Sequence, residues 1–80
     1  MTISERYVVY PEGESQEITW RLSVNDLVDM NGRPLELPIE SPRIIAYRVT
    51  KMRREDGIGT ETTYYYLELV GAYELIGYCR

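Results

Sequence analysis

The clearest alternation of apolar and polar positions lies between residues 43 and 80, and it predicts three consecutive β-strands. Segments 43–54 and 62–70 are rich in β-branched and aromatic residues and hold neither glycine nor proline. Asp56-Gly57-Ile58-Gly59 separates them, and its glycines can take positive φ, so the two segments read as a hairpin. With 57–59 as the loop, Val49 faces Leu67, Tyr47 faces Leu69, and Arg48 lies opposite Glu68 as a cross-strand charge pair. A slip of one residue would move every side chain to the other face, so this register is preferred. A second loop at 71–73 would bring a third strand back, with Leu75 opposite Leu69 and Cys79 opposite Tyr65. The expected inward set is Ile45, Tyr47, Val49, Tyr65, Leu67, Leu69, Leu75 and Cys79. The expected outward set is Arg48, Thr50, Met52, Arg54, Tyr64, Tyr66, Glu68, Ile76, Tyr78 and Arg80.

The first forty residues are less regular. Positions 7–10 read as a short strand, 11–15 as a turn, and 18–22 as a second strand with Ile18, Trp20 and Leu22 on one face. Trp20 is the expected centre of the core, because its ring buries more area than any other side chain here. Segment 23–42 admits two readings. Ser23 and Asp26 have capping spacing, Val24, Leu27 and Val28 share a helical face, and Asn31-Gly32 would end a helix. The alternative is a hairpin around Asn31-Gly32; the capping pattern favours the helix. Pro38 and Pro42 make 38–42 an extended connector.

Five strands, with room for one short helix, predict an all-β fold: a small antiparallel barrel or roll of SH3-like or OB-like form, which removes exposed sheet edges. A three-stranded sheet backed by a helix is the runner-up. At 80 residues the chain is one domain's length, and a domain of that size buries only a little over ~60% of its unfolded surface.

Composition narrows the chemistry. The chain has no histidine and one cysteine, so no Ser-His or Cys-His pair and no cysteine-only metal site can be built within it. Gly57-Ile58-Gly59 lacks the spacing and the lysine of a phosphate loop. Asp26, Asp29, Asn31 and Gly32 touch on part of a calcium loop but lack its order and its closing glutamate. Cys79 fits an inert thiol and a reducing, cytoplasmic setting. No apolar run approaches a membrane span, and no basic-then-apolar leader opens the chain. The expectation is a non-enzymatic protein that needs no cofactor, metal, membrane or small-molecule substrate.

The net charge of −4 is unevenly spread. Residues 1–40 carry eight acids against three arginines, and residues 41–80 carry five acids against six bases. What remains is the aromatic outward face. Met52, Tyr64, Tyr66, Ile76 and Tyr78, bordered by Arg48 and Arg54, have the composition of a protein-contact surface, including contact with a second copy. A competing reading uses Arg48, Lys51, Arg53 and Arg54 for phosphates and Tyr64 and Tyr66 for base stacking on a single strand; the negative net charge weighs against it. A third reading simply covers this face with the N-terminal hairpin or segment 23–42.

Overall fold

The computed structural model describes residues 2–79. It is mostly β: five strands form one mixed sheet, curled into a half-barrel, with one short helix. The strands are β1 (Ile3–Val9), β2 (Ser15–Ile18), β3 (Leu27–Asp29), β4 (Ala46–Gly57) and β5 (Thr60–Leu69), and the helix is α1 (Ala72–Ile76). The sheet order is β2-β1-β5-β4-β3. Every neighbouring pair is antiparallel except β1 with β5, which run parallel from Ile3↔Thr60 to Val9↔Tyr66. The expected all-antiparallel sheet is therefore corrected to a mixed one. Local turn signals reveal hairpins, whereas a parallel pair between the first and last strands leaves no mark in either turn.

The central hairpin keeps the expected register at one end and departs from it at the other. Tyr47↔Leu69, Arg48↔Glu68 and Val49↔Leu67 pair as read from the sequence. A β-bulge at Thr50 then shifts the ladder, giving Lys51↔Tyr66, Met52↔Tyr65, Arg53↔Tyr64 and Arg54↔Thr63. The turn is two residues, Ile58-Gly59, with Gly59 at φ +75°. A three-residue loop gave the right answer near Val49 only because the bulge supplies the missing residue on the other side.

The concave face carries the main core. Val8, Ile18, Leu22, Val28, Val49, Tyr65 and Leu67 are buried together, with Tyr10, Trp20 and Tyr47 packed at its rim. Trp20 thus lies at the border of the core rather than its centre, because β2 ends at Ile18 instead of spanning 18–22. On the convex face a second cluster joins Leu27, Ile39, Ala46, Val70 and Leu75, with Leu35, Tyr78 and Cys79 packed against it.

Segment 23–42 holds a hairpin over residues 27–35 and no helix. The capping signal is physically present: Ser23 N–H donates to Asp26 Oδ2 at 2.8 Å, and Asp26 N–H donates to Ser23 O at 3.0 Å. It closes a tight turn instead, with Asn25 at φ +79°, a conformation asparagine tolerates better than most residues. Asn25 N–H then donates to Val49 O and Val49 N–H to Asp26 O, which docks the turn on β4 and starts β3 as a strand. Asp29 Oδ1 accepts the N–H groups of Asn31 and Arg33 and shapes the next turn. Gly32 sits there at φ +79°, where an added Cβ would lie 3.1 Å from Val8 Cγ2.

That close approach marks how the half-barrel is held. The outer strands β2 and β3 share no ladder. Three side chains from the β1–β2 hairpin region capture three successive carbonyls of the β3 turn instead. Tyr10 OH donates to Met30 O at 2.9 Å, Gln16 Nε2 to Asn31 O at 3.2 Å, and Trp20 Nε1 to Gly32 O at 2.9 Å.

The C-terminal segment is α1, not a third strand of the hairpin. Leu75 is 1% exposed in the second cluster and does not lie beside Leu69. Leu69 and Ile45, both expected inward, are 63% and 52% exposed. The helix and the turn that follows it bring Leu75 and Tyr78 to the same cluster and Glu74 to Arg48, which also holds Glu68 at 3.1 Å. A strand over these residues would satisfy neither contact. Arg80, assigned to the outward face from sequence, lies outside the described residues.

Candidate functional site

Beyond the bulge, the convex face of the sheet presents two transverse rows. The pairings Tyr7↔Glu17, Tyr7↔Tyr64 and Arg53↔Tyr64 align Glu17, Tyr7, Tyr64 and Arg53 across β2, β1, β5 and β4. The next row is Ser15, Val9, Tyr66 and Lys51. With strands about 4.8 Å apart, each row is about 14 Å wide.

The side chains interlock along these rows. Tyr7 stacks on Tyr64 with ring centroids 5.8 Å apart and planes at 22°. The Arg53 guanidinium lies 5.0 Å from the Tyr64 ring centre and 6.0 Å from that of Tyr66, and Lys51 Nζ lies 4.8 Å from Tyr66. Tyr7 OH donates to Glu5 Oε2 at 3.2 Å, and Arg53 Nη2 pairs with Glu55 Oε1 at 3.0 Å. Desolvation, reinforced by the negative charge of Glu5, raises the pKa of Tyr7 above the ordinary tyrosine value. Tyr7, Tyr64 and Tyr66 are half-buried, and Lys51 and Arg53 are exposed.

The sequence-derived contact set is thus divided. Tyr64 and Tyr66 hold the expected face. Met52 and Arg54 do not: the bulge turns them to the concave side, opposite Tyr65 and Thr63, and Lys51 and Arg53 take their places. Arg48 is on the convex side but is bound by Glu74 and Glu68, and the hydrogen bond to Glu74 above all raises its pKa further above the ordinary arginine value. Ile76 is exposed on α1, and Tyr78 packs into the second cluster away from the tyrosine rows. Of the set considered for nucleic acid, Lys51, Arg53, Tyr64 and Tyr66 come together, while Arg48 and Arg54 stand apart. Tyr7 and Glu17 escaped the sequence reading because only the parallel β1–β5 pairing brings them here.

The remaining candidates for chemistry are spent on structure. Asp26 and Asp29 close turns, and among the described residues no group of three or more Cys, Asp or Glu side chains is arranged to hold a metal. Cys79 Sγ donates to Leu75 O at 3.3 Å. Among the described residues no helix is long and apolar enough to cross a membrane.

A family model described as an uncharacterised Treponema protein matches residues 2–78. The chain belongs to that family. No curated protein and no solved structure matches it. The match covers every strand, α1 and both tyrosine rows, so family membership applies to the whole surface described above.

Proposed function

We propose that this family member is a non-catalytic assembly module that pairs with a second copy of itself through the convex tyrosine face. The observation that carries this reading is the order of charge along one row: acid, ring, ring, base, from Glu17 through Tyr7 and Tyr64 to Arg53. A two-fold axis parallel to the strands lays the acidic edge of one copy over the basic edge of the other, with tyrosines meeting in the middle. An isologous contact requires that kind of self-complementarity. Tyrosine and arginine are also the residue types that dominate contact energies. A reducing, cytoplasmic setting belongs to the same proposal, since the design needs no disulfide.

The geometry supports this reading over single-strand nucleic-acid binding. Base stacking needs free ring faces. Here Arg53 and Lys51 occupy faces of Tyr64 and Tyr66, and Tyr7 covers Tyr64.

Light scattering and sedimentation test the proposal. The expected result is a dimer at concentrations up to about 100 μM, weakened by salt. Glu17→Arg and Arg53→Glu should each give monomers, and the double exchange should restore the dimer, since reversing both edges keeps them complementary. A wild-type chain that stays monomeric throughout this range overturns the proposal.

A further inference from the structure

The other face of the same ribbon carries a separate feature. Between the hairpin arms and the segment after β2 lies a concave cleft of about 280 Å³. The pairings Arg6↔Thr63 and Arg54↔Thr63 place two arginines on either side of one threonine in a single transverse row. Arg21, from the segment after β2, also lines the cleft, next to Leu22 in the chain. Three elements distant in sequence therefore bring arginines to one cleft, in a chain whose net charge is −4.

The charges in this cleft do not cancel. Arg54 Nε pairs with Glu61 Oε1 at 3.1 Å. Glu5 borders the cleft, but its carboxylate accepts the Tyr7 hydroxyl on the convex side. Among the described residues neither Arg6 nor Arg21 is in an ion pair. Thr63 is the one buried polar residue among those described, and its hydroxyl can donate. One end of the cleft is apolar, with Tyr65 and Leu22 buried and Met52 half-exposed.

We propose that the cleft binds a small organic anion: an oxyanion head, phosphate or carboxylate, between Arg6 and Arg21 above Thr63, with an apolar body against Tyr65 and Met52. Forked guanidinium donors match planar or tetrahedral oxyanions better than a point charge does. A few convergent polar groups beside an apolar wall are the usual make-up of a ligand site. Solvated arginine stems are the ordinary alternative, and they would show no preference among anions.

Amide NMR titration and calorimetry of the full chain test this with phenyl phosphate, benzoate, inorganic phosphate and phenol. Phenyl phosphate or benzoate should bind with a Kd of about 1 mM or tighter and shift amides at 4–6, 21–23, 52–54 and 61–65. The tighter of the two names the head group. Inorganic phosphate should bind more weakly, for want of an apolar body, and phenol should not bind. Arg6→Gln and Arg21→Gln should each weaken binding about tenfold. Arg53→Glu, on the convex face, should leave binding unchanged, which separates this inference from the dimer proposal. No binding of either aromatic anion at about 10 mM, or binding that ignores Arg6 and Arg21, overturns it.

Discussion

The two ends of the β4–β5 ribbon differ in what covers them. Between Ala46 and Val49, and between Leu67 and Val70, both faces carry buried residues: Val49 and Leu67 belong to the main core, and Ala46 and Val70 pack with α1 and the Leu35–Ile39 segment. Beyond Thr50 the ribbon runs out to Ile58 with neither face fully covered. The described residues extend 46 Å along their longest axis, against 22 and 17 Å across it, so this open end is a substantial part of the molecule. The bulge is the boundary. It holds the covered end in a register dictated by burial and lets the open end present tyrosines and cations on one side and an arginine cleft on the other. The packed core and the proposed contact surfaces thereby fall on different stretches of the same two strands.

The covered end can be broken from its convex side. Leu75 is 1% exposed and joins α1 to Leu27, Ile39, Ala46 and Val70. Leu75→Ala should cost about 2–5 kcal/mol, a large share of the stability of so small a protein. Urea denaturation measures this. A cost below about 1 kcal/mol would mean that α1 is a surface appendage and that the covered end has only one structural face.

A smaller effect is expected where the half-barrel is latched. Tyr10 OH donates to Met30 O, and Tyr10→Phe should cost about 0.5–1.5 kcal/mol. The same hydroxyl makes the latch sensitive to alkali. Burial first, then the neighbouring Tyr47 and Asp29, raise the pKa of Tyr10 above the ordinary value of 10.0. Below that value both folded and unfolded chains keep the proton, and the contribution is fully present. As pH rises past it, the unfolded chain loses its proton first, so stability falls as pH climbs through the folded value. Denaturation between about pH 8 and about pH 11 should show this loss, and Tyr10→Phe should reduce it without abolishing it, because Tyr7 is shifted the same way. A pH profile identical in wild type and Tyr10→Phe would remove Tyr10 from the latch.

These contacts also explain what the sequence could reveal. The pairing of Val49 with Leu67 was legible because apolar residues alternate on both strands and a one-residue slip would bury charge. The chain has the five strands its pattern predicts, but two places differ: residues 72–76 are α1 where a strand is expected, and β3 lies in the segment whose capping pattern favours a helix. Asp26 makes the carboxylate-to-Ser23 N–H bond its spacing promises, but Asp26 N–H bonds the Ser23 carbonyl in a turn, and the backbone of Val49 captures that turn before a helix can propagate. Such competition is tertiary and has no local signature. The candidate site was half legible. Tyr64 and Tyr66 were placed on the correct face, whereas Tyr7 needed the parallel pairing and Arg53 needed the bulge.

The smallest effects on stability fall at the open end, and there the bulge itself comes under test. Lys51 and Met52 are adjacent in sequence and both exposed, yet the shifted ladder puts Lys51 over the Tyr66 ring and Met52 beside Tyr65 in the cleft. Lys51→Gln removes a cation–π contact at an exposed site and should cost about 0.5 kcal/mol; Met52→Gln should cost no more than that. Their effects on binding should separate. Lys51→Gln should weaken dimerisation on the convex face and leave phenyl phosphate titration unchanged. Met52→Gln should leave dimerisation unchanged and weaken the aromatic anion relative to inorganic phosphate, because only the former uses the apolar wall. Light scattering and calorimetry on the two variants read both outcomes. If Met52→Gln instead disrupts the dimer, Met52 shares a face with Tyr64 and Tyr66, the ladder runs without a shift, and the division of the ribbon at Thr50 fails.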